Sequence, residues 1–372
     1  PAPCSQHAAK ASVMRLGPML LAVGAVLFLA FIFLVPQWRL PGKGTQLGAN
    51  ASSMVQFDPT PVEAAVQNQR PPVLPVVADD PRPATTAFKN VKVLTDVNAG
   101  DFMRLQNAMT AWVSPKQGCA FCHAGTDYAS DAKPAKQAAR LMLAMTRHIN
   151  TTFKDHVGSG GVTCYSCHRG QPVPSEVWYQ SPPDPGHPMI DKQEDYDERA
   201  TTVRTFFPNE GFEEYLLQDT PGLAQSYTAL PSKETSSQIE MKRLYEMMMQ
   251  MSDGIGVNCG YCHNSRAFFD WRQSTPARWT GYSGLTLTRD INRNFILKLG
   301  QIVPENQTRV GDTRYISLPP RDRGPQIGNG LADCATCHHG APKPLAGLDL
   351  IRGFPALAGP DPQSAVHHPS HP

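Results

Sequence analysis

The sequence predicts a mainly α-helical chain with much irregular structure, made of two related halves behind one N-terminal transmembrane helix. Three observations predict this: a cysteine–histidine motif that occurs four times, an internal duplication, and one uncharged apolar run. Its 372 residues are enough for a sizeable core and more than one domain. The 35 prolines and 29 glycines account for the irregular part. Formal net charge is +2, from 34 basic and 32 acidic residues, and there is no basic run. That balance excludes a nucleic-acid partner.

Nine cysteines fall as Cys4 and four pairs: Cys119/Cys122, Cys164/Cys167, Cys259/Cys262 and Cys334/Cys337. Each pair encloses two residues and is followed at once by a histidine: His123, His168, His263 and His338. A zinc ribbon also repeats C-x-x-C but does not need that histidine. A redox dithiol occurs once, at a helix start. C-x-x-C-H is the attachment signature of c-type haem. Two sulfurs about one helical turn apart reach the porphyrin edge, and the adjacent histidine falls under the iron. The expectation is a multihaem cytochrome c with four covalently bound haem c groups. The ligand on the second face of each iron then sets potential and reactivity.

The segments follow in order. Residues 1–15 are expected on the cytoplasmic side, with Cys4 a free thiol. Residues 16–35, LGPMLLAVGAVLFLAFIFLV, carry no charge. As a helix they span about 30 Å, one hydrocarbon thickness. A secretory signal has a shorter apolar core and a small-residue cleavage site, so 16–36 is expected to be a retained anchor, followed by Trp38 as an interface residue. The body is expected in the periplasm, where haem attachment of this type is completed in bacteria. Residues 37–100 are rich in proline and should be extended. Residues 101–175 hold the first two motifs, 176–235 form a connecting segment, and 236–350 hold the other two motifs. The Pro- and His-rich stretch 351–372 is expected to be a mobile tail, with His367, His368 and His371 solvated.

The halves are related. CYSCHRGQPVP (164–174) matches CATCHHGAPKP (334–344), CAFCH (119–123) matches CGYCH (259–263), and MLAMTRHIN (142–150) matches GLTLTRDIN (284–292). Repeats of this kind pack about a pseudo-twofold axis, which predicts a compact four-haem array. The distal ligands must be thioethers or imidazoles presented by nearby helices. Before the third motif, Leu244, Met248 and Met251 share a helical face, and Met248 is eleven residues before Cys259. Before the first, Met109 and Met103 are candidates; Met109 is ten residues before Cys119, and the lean of helical side chains favours it. For the second, a helix over 136–150 carries Met142 and Met145. Aligning Thr146 with Thr288 sets Met142 opposite Gly284, so the fourth site has lost its thioether and needs an imidazole from elsewhere. Of the histidines outside the motifs, His339 is locked beside His338, and only His148 and His156 remain in the haem-bearing body. His148 suits a capping or solvent-facing role on the helix; His156 is in a loop from which it can cross the pseudo-axis.

The motifs AWVSPKQGCAFCH, RLMLAMTRHIN, GVTCYSCHRGQPVP, MMMQMSDGIGVNCGYCHN and ADCATCHHGAPKPL together resemble the tetrahaem cytochrome subunit of purple bacterial photosynthetic reaction centres, over residues 95–350. The resemblance implies three His/Met haems and one bis-His haem. It puts Met142 on the second, Met248 on the third, and His156 on the fourth. At the first, Gln106 stands where the family often has methionine, with Met103 and Met109 a helical turn to either side. Arg278 matches an arginine of the family near the reaction-centre side. Family members are often lipid-anchored at a cysteine; this chain instead carries the apolar helix.

By that resemblance the chain is an electron carrier, not an enzyme, on the bacterial inner (photosynthetic) membrane. It would take electrons from a soluble donor, a cytochrome c or a high-potential iron-sulfur protein. It would dock on the reaction-centre L and M subunits and pass electrons to the photo-oxidised bacteriochlorophyll pair. The alternatives are a membrane-anchored tetrahaem quinol oxidoreductase, which relies on more histidines, and a multihaem reductase, which requires one open iron face.

Overall fold

The computed structural model describes residues 10–34, 44–46, 55–57, 68–180, 210–220, 238–303 and 327–359. Cys4, His7, Trp38, His187, His367, His368 and His371 lie outside the described residues. The helices are α1 (Lys10–Leu34), α2 (Ala84–Ala87), α3 (Ala99–Val113), α4 (Pro134–Thr152), α5 (Lys154–Val157), α6 (Cys164–His168), α7 (Glu210–Leu216), α8 (Gln238–Ile255), α9 (Pro276–Ile291), α10 (Leu299–Ile302) and α11 (Cys334–His338). Two antiparallel ribbons accompany them: β1 (Gly44–Gln46) with β2 (Val55–Phe57), and β3 (Val177–Gln180) with β4 (Ile327–Ala332).

The side chains of α1 are described over 17–31, where large apolar groups such as Leu21 (77%) and Phe28 (65%) are exposed. That stretch is about 22 Å long at the helical rise. Among the described residues no helix is long and apolar enough to cross a membrane.

Helix α3 starts where Asn98 caps it, its side chain accepting from the Asp101 amide at 2.7 Å. Its residues Leu105, Ala108 and Trp112 recur at helical spacing and are buried against Leu143 of α4, Tyr165 of α6, and Leu345. Helix α4 opens on Pro134, whose missing N–H is no loss in a first turn. The second core gathers Met247 of α8, with Leu285, Leu287 and Ile291 of α9.

Two expectations about the segments need correction. The stretch 176–235 is not only a connection: Trp178 on β3 is fully buried and donates its indole N–H to the Ala332 carbonyl at 2.9 Å, and Phe212 and Leu216 of α7 enter the second core. Nor are residues 351–359 part of a mobile tail. Leu357 is fully buried, Phe354 meets Trp112 edge-on at 4.7 Å, and the Ala356 carbonyl accepts from Arg147 Nε at 2.8 Å. An apolar FPAL sequence can fill a gap in the first core, which its Pro-rich composition concealed.

The duplication appears as matched hydrogen bonds. Thr146 Oγ1 donates to the Met142 carbonyl and Thr288 Oγ1 to that of Gly284, both at 2.8 Å. Asn150 forms a two-way bond with the backbone of Val162 (2.9 and 2.8 Å), and Asn292 does the same with Ala332 (2.9 and 2.8 Å). Capping boxes open α6 at Thr163 and α11 at Asp333, and both helices end in left-handed residues, Arg169 and His339. Equivalent residues of the two repeats also touch: His148 and Asp290 are one such pair, with Nε2 2.7 Å from Oδ2, and Cys167 and Cys337 are another.

Candidate haem sites

Each C-x-x-C-H segment forms a single helical turn. The second and fourth are α-helices, α6 and α11. The first and third are tighter turns over Gly118–Phe121 and Cys259–Tyr261, closed by the histidine amide donating to the first cysteine's carbonyl (3.0 Å for His123, 2.9 Å for His263). Either way the two sulfurs and the imidazole project from one short turn, as the spacing requires.

The four turns form a row. Helix α3, which leads into the first motif, packs on α6; α6 packs on α11; α11 packs on α8, which leads into the third. The same bond ties each outer helix to its inner motif: the Gly170 amide donates to the Trp112 carbonyl, and the Gly340 amide to that of Gly254, both at 2.8 Å. The approach at α8 demands glycine. A Cβ on Gly254 would stand 2.8 Å from the Ala335 nitrogen, and one on Gly256, whose φ is +67°, would overlap the Gly340 carbonyl.

All four motif histidines are held alike. Nδ1 sits on a backbone carbonyl: His123 on Tyr128 (3.1 Å), His168 on Gln171 (2.9 Å), His263 on Phe268 (2.9 Å), and His338 on Ala341 (2.8 Å). That bond sets the tautomer and the ring's rotation, and points Nε2 away from the backbone. Burial lowers the pKa of all four, with His338 pushed down to about 4. They are therefore neutral, the form that binds a metal. Burial also raises the thiols, Cys164 to about 12 and Cys262 to about 11. This donor set fits a haem at each turn.

His156 of α5 stands beside the fourth motif. Its Nδ1 sits on the Thr280 carbonyl at 2.9 Å, and its ring lies over Gly284, where a Cβ would come 2.9 Å from Nδ1 and 3.0 Å from Nε2. The His156 and His338 ring centroids are 6.0 Å apart, with planes at 64°. Two imidazoles binding one metal from opposite sides at about 2 Å each need roughly that spacing. His148 differs. It is buried rather than solvent-facing, with Nε2 on Asp290 and Nδ1 3.4 Å from Thr152 Oγ1.

The first two sites share one cavity of about 1120 Å³, more than a single drug-sized ligand fills. Its wall includes Cys119, Cys122 and His123 together with Cys164, Cys167 and His168. Met142, Met109, Met103 and Gln106 all reach it. Met109 also packs on the first core, whereas Met103 is 37% exposed. Met248, Leu244 and Met251 pack together on the second core, consistent with one shared helical face.

Cys167 and Cys337 are equivalent residues of the two repeats. They are joined in a disulfide with Cα atoms 4.3 Å apart. Arg278 is half-buried: it lies 4.0 Å over the Trp271 ring and donates to the Phe268 carbonyl and to Ser274 Oγ. The carbonyls that hold the histidines were not foreseen, since a backbone acceptor leaves no mark in side-chain chemistry.

The family model described as photosynthetic reaction centre cytochrome C subunit matches residues 39–358. The photosynthetic reaction center cytochrome c subunit of Rubrivivax gelatinosus is 34% identical over 333 residues, covering 88% of this chain and 86% of the relative. That of Thermochromatium tepidum is 33% identical over 340 residues, covering 91% and 80%. A cytochrome c-554 of Chloroflexus aurantiacus is 26% identical over 297 residues, covering 70% of each.

Proposed function

The chain belongs to the photosynthetic reaction centre cytochrome c subunit family, and on that premise we propose that it is a four-haem relay from a soluble periplasmic donor to the photo-oxidised bacteriochlorophyll pair. Family membership makes it an electron carrier rather than an enzyme, associated with the reaction centre and the photosynthetic membrane. The number of haems, their ligands and the donor belong to the proposal.

The observation that carries it is the common hold on His123, His168, His263 and His338, each with Nδ1 on a carbonyl. Four identical devices support four haems, held through Cys119/Cys122, Cys164/Cys167, Cys259/Cys262 and Cys334/Cys337. Haem supplies reversible one-electron storage at each site. On the distal side the ligands are Met109, Met142, Met248 and His156. A protein ligand on both faces leaves no position for a substrate, which disfavours the multihaem reductase. Helix α1 is the anchor in this reading, supported by its uncharged apolar run; the L and M subunits and a cytochrome c or iron-sulfur donor are the partners. Cys167 and Cys337 go to porphyrin edges in this reading, as the other motif cysteines do.

Flash excitation of membranes carrying the complex tests this. The expected result is rapid re-reduction of the bacteriochlorophyll pair with matching haem oxidation, and four haems per chain by mass. Rapid carbon monoxide binding by one reduced haem would overturn the carrier reading in favour of an enzyme.

A further inference from the structure

The Tyr128 carbonyl accepts two donors: His123 Nδ1 at 3.1 Å and Lys136 Nζ at 2.8 Å. Lys136 also reaches the next two carbonyls, of Ala129 and Ser130, at 2.9 Å each. Those three bonds use all three protons of an ammonium. Its side chain is 11% exposed, and its one carboxylate partner among the described residues, Asp131, is 3.3 Å away. Lys92 and Arg140 bind the same carboxylate, each at 2.9 Å. Three cations on one carboxylate leave the cluster net positive. Bonds from Arg140, Lys92 and Asn90 hold the Asp131 carboxyl well below its usual range, so it stays charged and does not alter that count.

We propose that Lys136 is a positioning residue for the haem at Cys119, Cys122 and His123: it locks the carbonyl that orients His123, and its buried charge raises that haem's midpoint potential. This rests on the four-haem reading above. The sign follows from charge: reduction adds one electron to the site, and a fixed cation in a poorly screened place favours the more negative state. The shared carbonyl acts in the same direction. An acceptor already bound to an ammonium pulls less on the His123 N–H, so the imidazole donates less to the iron. At the second and fourth motifs, the Gln171 and Ala341 carbonyls meet His168 and His338 without a lysine or arginine donor among the described residues.

The test is a redox titration of the complete complex with Lys136→Met and Lys136→Arg, resolving the four haem steps. Lys136→Met is expected to shift one step toward the oxidised form by about tenfold, equivalent to ~59 mV for one electron. Lys136→Arg, which keeps the charge, should hold that step close to the unsubstituted value. Unchanged steps in Lys136→Met, or an equal shift in both variants, would overturn the proposal. If Lys136→Met fails to retain its first haem, Lys136→Gln, uncharged but still a donor, takes its place under the same criteria. Fewer than four haems in the unsubstituted protein would instead refute the underlying reading.

Discussion

His148 and Asp290 hold the same position in the two repeats, and they touch: Nε2 of one lies 2.7 Å from Oδ2 of the other. The TRHIN and TRDIN segments thus differ at the residue through which they touch. Two histidines or two aspartates there would be like facing like; one of each makes a bond. Asn294 donates to the second aspartate oxygen at 2.7 Å, which helps to keep the carboxylate in place.

Replacing His148 with leucine should therefore destabilise the junction of the halves and leave the irons alone. Removing a buried hydrogen-bond partner costs about 1–3 kcal/mol. Denaturant unfolding should show that loss, with haem spectra like those of the parent. Loss of an imidazole signature from any haem would mean that His148, not His156, is a ligand.

Two substitutions far apart in sequence should affect the same haem. His156→Leu removes an imidazole, and Gly284→Ala places a methyl against the ring of His156. Both should shift one redox step of the four and convert one haem from six- to five-coordinate. If the two variants alter different steps, the pairing of His156 with His338 is wrong.

The first half suggests a repair. Met142 and Gly284 are equivalent, and the carbonyl of each accepts from the threonine four residues on. Gly284→Met combined with His156→Ala puts a thioether where the first repeat has Met142 and clears the space for it. A thioether raises potential relative to a second imidazole. The doubly substituted chain should have one haem whose midpoint moves up, read by potentiometry; a downward move would contradict the ligand exchange.

At the first site both methionines reach the cavity, but Met109 is more enclosed than the 37% exposed Met103. Met109→Leu should lower one midpoint and alter that haem's spectrum, while Met103→Leu should do neither. The opposite pattern would move the assignment to Met103, and no change in either would point to Gln106.

The sequence displays the chemistry and conceals the supports. The motifs, the duplication and the contrast of Met142 with Gly284 are all side-chain facts, and they are what points to His156. The carbonyls of Tyr128, Gln171, Phe268 and Ala341 are backbone groups, whose positions depend on how the loops close. Lys136 and Arg278 were closer to being legible. Both lie ten residues before the aligned threonines, Thr146 and Thr288, and each donates to the carbonyl that holds an outer histidine. Trp178 and Leu357 were hidden differently: they lie in proline-rich stretches, and only long-range packing decides that such stretches contribute to a core.

Leu357 gives the most direct test of that packing. It is fully buried in the first core, and the chain on either side of it is pinned to α4. The Ala356 carbonyl accepts from Arg147 Nε at 2.8 Å, and the Leu357 carbonyl from Asn150 Nδ2 at 3.0 Å. Arg147 is itself 2% exposed and paired at 2.8 Å with Asp96, which is 34% exposed, so this turn closes over the buried end of an ion pair. Leu357→Ala leaves a cavity of the kind that costs about 2–5 kcal/mol. Ending the chain at residue 350 should cost more, because Arg147 and Asn150 also lose their carbonyl partners. Thermal unfolding should order the three proteins in that way, with the ferrous spectra of the unheated samples unchanged. A truncated chain as stable as the full one would mean that 351–359 is a tail after all.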